Sequence, residues 1–215
     1  MLNKTTNMRL LQKWINSNIE IDSEFLNSTD EECINYSNIY KQSIMHEWER
    51  PIMKEDADLV TSLGGKVLNI GHGMGIIDGY IKDSNIEEHT IVEIHPQIAE
   101  RARRSGYSDV YEGDWIDFVD ECVESNRKFT GVYFDTFCFD RPDWELFTNK
   151  VDSILEPGGI FVYLNGGAAR TQHVQAYLEH WNWRPITKSF KYERPYDDGI
   201  VRTEDWISIG WIKPS

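Results

Sequence analysis

The stretch VLNIGHGMGIIDGYI, residues 67–81, decides the fold. It opens on an apolar run, crosses Gly71, Gly73 and Gly75 at alternate positions, and continues with apolar residues at helical spacing. A strand–glycine turn–helix passage of this kind permits a tight reversal and close backbone approach, and leaves free N–H groups at the helix start for a ligand. Outward from it, short apolar runs alternate with amphipathic ones. KVLNI (66–70), HTIVEI (89–94), DVYEG (109–113), FTGVYFDT (129–136) and GIFVYLNG (159–166) predict strands. Between them, residues 76–82, 96–105, 115–124 and 142–155 predict helices. Strand and helix in strict alternation predict an α/β fold with a parallel sheet and helices on both faces.

Beyond the fifth strand the rhythm changes. A helix over 171–181 leads to WRPITKSFKYERP (183–195) and RTEDWISIGWIKPS (202–215), two strands on either side of Asp197, Asp198 and Gly199. They predict a C-terminal antiparallel hairpin at one sheet edge. On the other side, residues 1–44 are polar, with Met8, Leu11, Trp14 and Ile15 at helical spacing. They predict a helical N-terminal arm, a lid packed on the main domain of residues 45–215.

The chain of 215 residues is long enough to bury a core, and its 13% aromatic content excludes global disorder. With 22 Lys and Arg against 36 Asp and Glu, the net charge of −14 argues against nucleic acid and anionic membranes as partners. The opening MLNKTTNMRLLQKW lacks the apolar core of a signal peptide, so a soluble, cytoplasmic protein is expected. Monomer and homodimer stay open. Cys33, Cys122 and Cys138 form no metal-type cluster, His72, His89 and His95 lack the spacing of a metal triad, and no metal is expected. The acidic run EDADL (55–59) reads as a solvated helix face.

A G-x-G-x-G loop alone is weak evidence. Glu93 strengthens it, because it ends the next strand about 20 residues on, where a carboxylate binds the hydroxyls of a ribose. A nicotinamide dinucleotide wants G-x-G-x-x-G, and here the third glycine comes one residue early. S-adenosylmethionine carries no phosphate and suits the tighter loop. Asp114 and Trp115 follow the third strand, an acid for an adenine amino group beside an aromatic for its ring; core packing is the other reading of Trp115.

VLNIGHGMGIIDGYI, EEHTIVEIHP, YFDTF and LEPGGIFVYLNG together resemble the class I S-adenosylmethionine-dependent methyltransferases, whose sheet is Rossmann-like. MHEWERPIM (45–53) matches a more specific M-x-x-W-E-x-P-x-M stretch, and with YFDTF it resembles guanidinoacetate N-methyltransferase and the fungal protein-arginine δ-N-methyltransferases. The resemblance runs from Met45 to about Gly166. It implies that Met45 and Met53 line the cofactor pocket, that Gly71, Gly73 and Gly75 cradle the methionine part, and that Glu93, with Ile94 beside it, binds the ribose. Asp114 and Trp115 would sit by the adenine. Asp135, which also borders the cofactor, and Glu49 would be the catalytic pair that grips the acceptor. S-adenosylhomocysteine would be the product.

A guanidinium stays protonated far above neutral pH and has no useful lone pair in that state. Two carboxylates can satisfy its N–H donors, fix its plane and accept a proton as methylation proceeds. The expected reaction is therefore N-methylation of a guanidino-type nitrogen on a cationic small molecule or peptide. Tyr133, Phe134 and Phe137 are expected to line the site, with Phe137 touching the acceptor and Arg170 placed to hold an acceptor carboxylate. Two alternatives remain: O- or N-methylation of another small molecule in a natural-product pathway, and a cofactor-binding protein without catalysis.

Overall fold

A computed structural model describes residues 4–21, 25–29, 45–136, 142–164, 175–176, 178–196 and 199–215. Its centre is a seven-stranded sheet in the order β6-β5-β4-β7-β8-β10-β9. The parallel strands are β4 (Lys66–Ile70), β5 (Glu88–Glu93), β6 (Val110–Glu112), β7 (Phe129–Phe134) and β8 (Leu155–Tyr163). β9 (Arg184–Pro195) and β10 (Val201–Ile212) form the antiparallel hairpin, and β10 joins it to β8 with Gly210 opposite Val162. The doubly wound sheet and its edge hairpin are as the alternation and the late turn residues predict. Of the helix expected over 171–181, residues 175–176 and 178–180 are helical; the other positions up to Gln175, and Tyr177, lie outside the described residues, as do Asp197 and Asp198.

Helices cover both faces. α2 (Arg50–Val60), α3 (Ile76–Lys82) and α4 (Pro96–Arg104) pack on one side, α5 (Trp115–Glu124) and α6 (Pro142–Ile154) on the other. Strand β7 divides its side chains by the two-residue period of a strand. Val132 and Phe134 join the cluster built with Phe118, Val119, Phe147 and Val151, whereas Tyr133 joins Met53, Ala57, Val60 and Ile77. Gly131 lets α2 approach this strand: a Cβ there would fall 2.1 Å from the Val60 carbonyl oxygen. Tyr133 and Phe134, expected to line the site, are fully buried, one in each core, and Phe134 stacks on Phe147 at 3.9 Å between centroids.

The N-terminal arm is only partly helical. α1 (Lys4–Asn16) is followed by β1 (Ile19–Ile21) and β2 (Phe25–Ser28), which pair antiparallel and continue onto β3 (Met45–His46) as a small second sheet. Strands of two to four residues are too short for a visible alternation, which is why helical spacing alone was legible there. Trp14 is buried against His95, ring centroids 4.9 Å apart, and the Ile19 amide donates to Gln97 Oε1 at 2.9 Å. The arm therefore packs on the start of α4, next to the end of β5. No helix among the described residues is long and apolar enough to cross a membrane.

Candidate active site

The C-terminal ends of β4, β5 and β7 converge where the strand order reverses, which is where ligands bind in open α/β sheets. Gly71 leaves β4 with φ +98°, and its amide donates to the Val92 carbonyl at 2.9 Å. Gly73 and Gly75 also have positive φ, +54° and +78°. A Cβ on Gly73 would lie 2.8 Å from Met45 Sδ, and one on Gly75 would lie 2.8 Å from the His72 ring. The loop is thus a bare-backbone cradle. Met45 seals one wall of it, its sulfur 3.2 Å from the Met74 amide.

Glu93 reaches across this loop. Its Oε2 accepts from the His72 amide at 2.9 Å and lies 3.5 Å from the Gly73 amide, while Oε1 accepts from the His95 amide at 2.8 Å. Burial raises its pKa, and those donors oppose the rise. Ile94 packs partly buried beside it. Met53 sits deeper than Met45, fully buried, with the Tyr133 hydroxyl 3.6 Å from its sulfur. Asp114 caps α5, Oδ1 accepting from the Ile116 amide at 2.9 Å. The Trp115 ring packs edge-on against Phe134 at 5.6 Å and Phe147 at 5.1 Å, the core role that was the other reading of this residue.

Glu49 and Asp135 come from distant segments and meet in one electrostatic environment. Glu49 ends a 3-10 turn (Glu47–Glu49) leading into α2, and its Oε1 accepts from the His46 amide at 2.8 Å. Arg50 pairs with Glu47, and Glu49 beside them is half-buried. Burial and the Asp135 charge push Glu49 up to about 8, with the His46 amide and the Arg194 charge pulling the other way. Asp135 follows β7, its amide donating to the Ile70 carbonyl at 2.9 Å. Phe137 and Arg170 lie outside the described residues.

Two features escaped the sequence. Asp78, fully buried in α3, lies 2.7 Å from His72 Nδ1 and 2.8 Å from His89 Nε2, and accepts from Asn69 Nδ2 at 2.8 Å. Burial alone would raise its pKa, but the two imidazoles outweigh it and hold the group at about 2. An ionised carboxylate accepts only, so both rings present N–H to it and the glycine loop is pinned from behind. Among the described residues no group of His, Cys, Asp and Glu has the arrangement of a metal site. Asp78→Asn is expected to cost about 2 kcal/mol at neutral pH. A depressed acid stabilises above its unfolded pKa, so the wild-type advantage should disappear as pH falls from about 4 through about 2. Urea unfolding of both forms at pH 7 and pH 2.5 checks it; equal offsets at both pH values would remove the charge from the explanation.

The second feature is Asp56. The run 55–59 was expected as a solvated face, yet Asp56 is 1% exposed and turned toward the sheet. Only the helical spacing Glu49, Met53, Asp56 and Val60, which places these residues on one stripe, carried a signal for it.

Comparison with known proteins bears on this geometry. The guanidinoacetate N-methyltransferase family profile matches residues 15–179. The protein arginine N-methyltransferase 2 of Aspergillus oryzae is 32% identical over 167 residues, covering 74% of this chain and 38% of that protein. Its Candida glabrata counterpart is 33% identical over 195 residues, covering 86% and 47%. The chain thus spans less than half the length of these relatives. Among solved structures, the N-methyltransferase NodS of Bradyrhizobium japonicum superposes with a TM-score of 0.58 at 16% identity, covering 78% of this chain and 97% of NodS, a likeness of fold. A methyltransferase sheet with its glycine cradle, matched by one family profile across most of its length, means that the chain belongs to the guanidinoacetate N-methyltransferase family.

Proposed function

We propose that this chain transfers a methyl group from S-adenosylmethionine to a guanidino nitrogen of a cationic acceptor, a small molecule or a peptide. The observation that carries this reading is the placement of two acids beside the glycine loop: Glu49, held by the His46 amide next to the Met45 that walls the loop, and Asp135, whose backbone lies against Gly71. The Asp135 charge opposes ionisation of Glu49, a cation relieves that opposition, and a planar guanidinium offers donors to both acids. Names of relatives point the same way, since the fungal proteins are called arginine N-methyltransferases.

The residues fit the cofactor. Gly71, Gly73 and Gly75 would lie against its methionine part, Met45 beside them, and Glu93 against the ribose, with Met53, Ile94, Asp114 and Trp115 behind the pocket. S-adenosylmethionine supplies an electrophilic methyl on a sulfonium. Glu49 and Asp135 fix the acceptor's plane so that one nitrogen faces that methyl, and orientation of this kind is worth roughly 7–11 kcal/mol. As the nitrogen forms its new bond it becomes more acidic, and Asp135 accepts the proton it releases. Residues 1–44 act as a lid whose Trp14 contact with His95 ties it to the Glu93 end of the site.

A screen with labelled cofactor tests this, using guanidinoacetate, arginine, agmatine and arginine-containing peptides beside simple amines and alcohols. Label on guanidino nitrogens supports the reading; label confined to amines or hydroxyls overturns it. The same screen on a form lacking residues 1–40 should show an acceptor KM raised severalfold, and unchanged kinetics would reduce the arm to a structural flank.

A further inference from the structure

We propose that Asp56 is a third carboxyl of the acceptor site, a positioning residue that acts through Asp135 and makes the site select for cations. The inference rests on the guanidino reading and extends it to a residue behind the gripping pair. Asp56 lies one helical turn beyond Met53 and two beyond Glu49, on the stripe of α2 that faces β7. The Tyr133 hydroxyl stands 3.4 Å from Asp56 Oδ2 and 3.6 Å from Met53 Sδ. Tyr133 precedes Asp135 by two residues, and Asp135 directly follows the end of β7. Asp56 Oδ1 has no hydrogen-bond partner among the described residues, although the whole side chain is buried.

A buried carboxyl without a cation has two tolerable states: protonated, or ionised beside a cation that has arrived. The groups facing Asp56 are Glu55 on its own helix, Tyr133 and Asp135 from β7 and its end, and Ser208 on β10. Among the described residues none of these is cationic; Lys188 is engaged with Glu55. Burial and the Asp135 charge push Asp56 up to about 7, with the Ser208 and Tyr133 hydroxyls opposing. The Tyr133 phenol is held well above its ordinary range by burial and by the charges of Asp56, Asp135 and Glu49, so it stays neutral and donates. A cation settling between Glu49 and Asp135 offsets the Asp135 charge, a lesser cause of the protonated state of Asp56 than burial, which stays. The Asp56 pKa falls with that charge, so near pH 7 part of the population loses its proton to solvent and adds its charge to the hold on the cation. A neutral acceptor gains nothing from this.

The test measures proton release on binding of agmatine to the chain saturated with S-adenosylhomocysteine, by calorimetry in buffers of different ionisation heat. At pH 7, wild type should release about half a proton more than Asp56→Asn. Asp56→Asn should raise the agmatine KM about fivefold while S-adenosylhomocysteine affinity stays within about twofold. An identical proton count overturns the proposal, and so does a parallel loss of S-adenosylhomocysteine affinity, which would make Asp56 merely structural. If Asp56→Asn does not fold, carbon-13 titration of the Asp56 carboxyl in wild type and Asp135→Asn decides. Its midpoint should drop by about one unit in the variant, and an unmoved midpoint overturns the coupling. Should wild type neither bind nor methylate agmatine or any other guanidino compound, the guanidino reading fails by itself, and the Asp56–Asp135 titration still judges the coupling separately.

Discussion

Gly71→Ala is expected to abolish S-adenosylhomocysteine binding and to destabilise the chain by roughly 2–5 kcal/mol. Two costs add. The backbone at Gly71 has φ +98°, where an L side chain is strained by roughly 1–2 kcal/mol. The added Cβ would also lie 1.8 Å from the Asp135 carbonyl oxygen, a backbone atom that cannot rotate away. The Asp135 amide is bonded to the Ile70 carbonyl at 2.9 Å, so relief requires parting the ends of β4 and β7, and overpacking of this kind costs a further ~1–3 kcal/mol. The same movement displaces Asp135 and the cradle together. Gly79→Ala is the control: it lies within α3 with nothing within 4 Å of its Cβ, and should stabilise by ~0.5–1 kcal/mol. Urea unfolding and calorimetry with S-adenosylhomocysteine read both effects. Gly71→Ala that binds the ligand as tightly as wild type would remove the loop from the cofactor site.

The parallel sheet was legible because strands covered on both faces read as unbroken apolar runs. VLNI, TIVE and VYF show no alternation, and the helices between them keep a polar side. The same property hid which face each residue serves. Tyr133 and Phe134 are neighbours of equal apolarity, and only the strand's placement between α2 and α5 sends one to each core. The Gly71 loop and Glu93 were legible because tight turns and strand-end acids leave a mark at fixed distance.

What remained hidden has a different physical origin. Asp56 and Asp78 are charged residues at positions where spacing predicts a core, and a polar letter in an acidic chain gives no sign of being buried. The partners that make their burial tolerable come from other elements: Asn69 from β4, His72 from the loop and His89 from β5 for Asp78, and Tyr133 from β7 for Asp56. Pairings of that range are tertiary facts. Local pattern could nominate Glu49 and Asp135 only through their motif, and it had nothing comparable for the groups behind them.

Glu49→Gln is expected to lower turnover by about a hundredfold or more while S-adenosylhomocysteine affinity stays within about twofold, and to stabilise the unliganded chain at alkaline pH. The first effect follows from orientation: one gripping carboxylate lost leaves the guanidinium free to turn, and a hundredfold corresponds to ~2.7 kcal/mol of transition-state stabilisation. The second follows from the acid's raised pKa. Below its ordinary value of 4.5 the group is neutral in both folded and unfolded chains and costs nothing. Between 4.5 and about 8 the unfolded chain ionises while the folded one holds its proton, so stability falls as pH rises. Above about 8 the penalty levels off; the shift alone corresponds to ~5 kcal/mol, the partial exposure of Glu49 screens this to roughly 2–4 kcal/mol, and a glutamine escapes it. Glu49→Gln should therefore match wild type near pH 4.5 and exceed it increasingly toward pH 8.5 in urea midpoints. Asp135→Asn should lose turnover to a similar degree, and the double variant little more, because the two carboxylates act as one clamp. Near-full turnover in both single variants would dismiss the clamp. A stability difference that does not grow with pH would dismiss the half-buried, Asp135-coupled state of Glu49, which is the state a bound cation relieves.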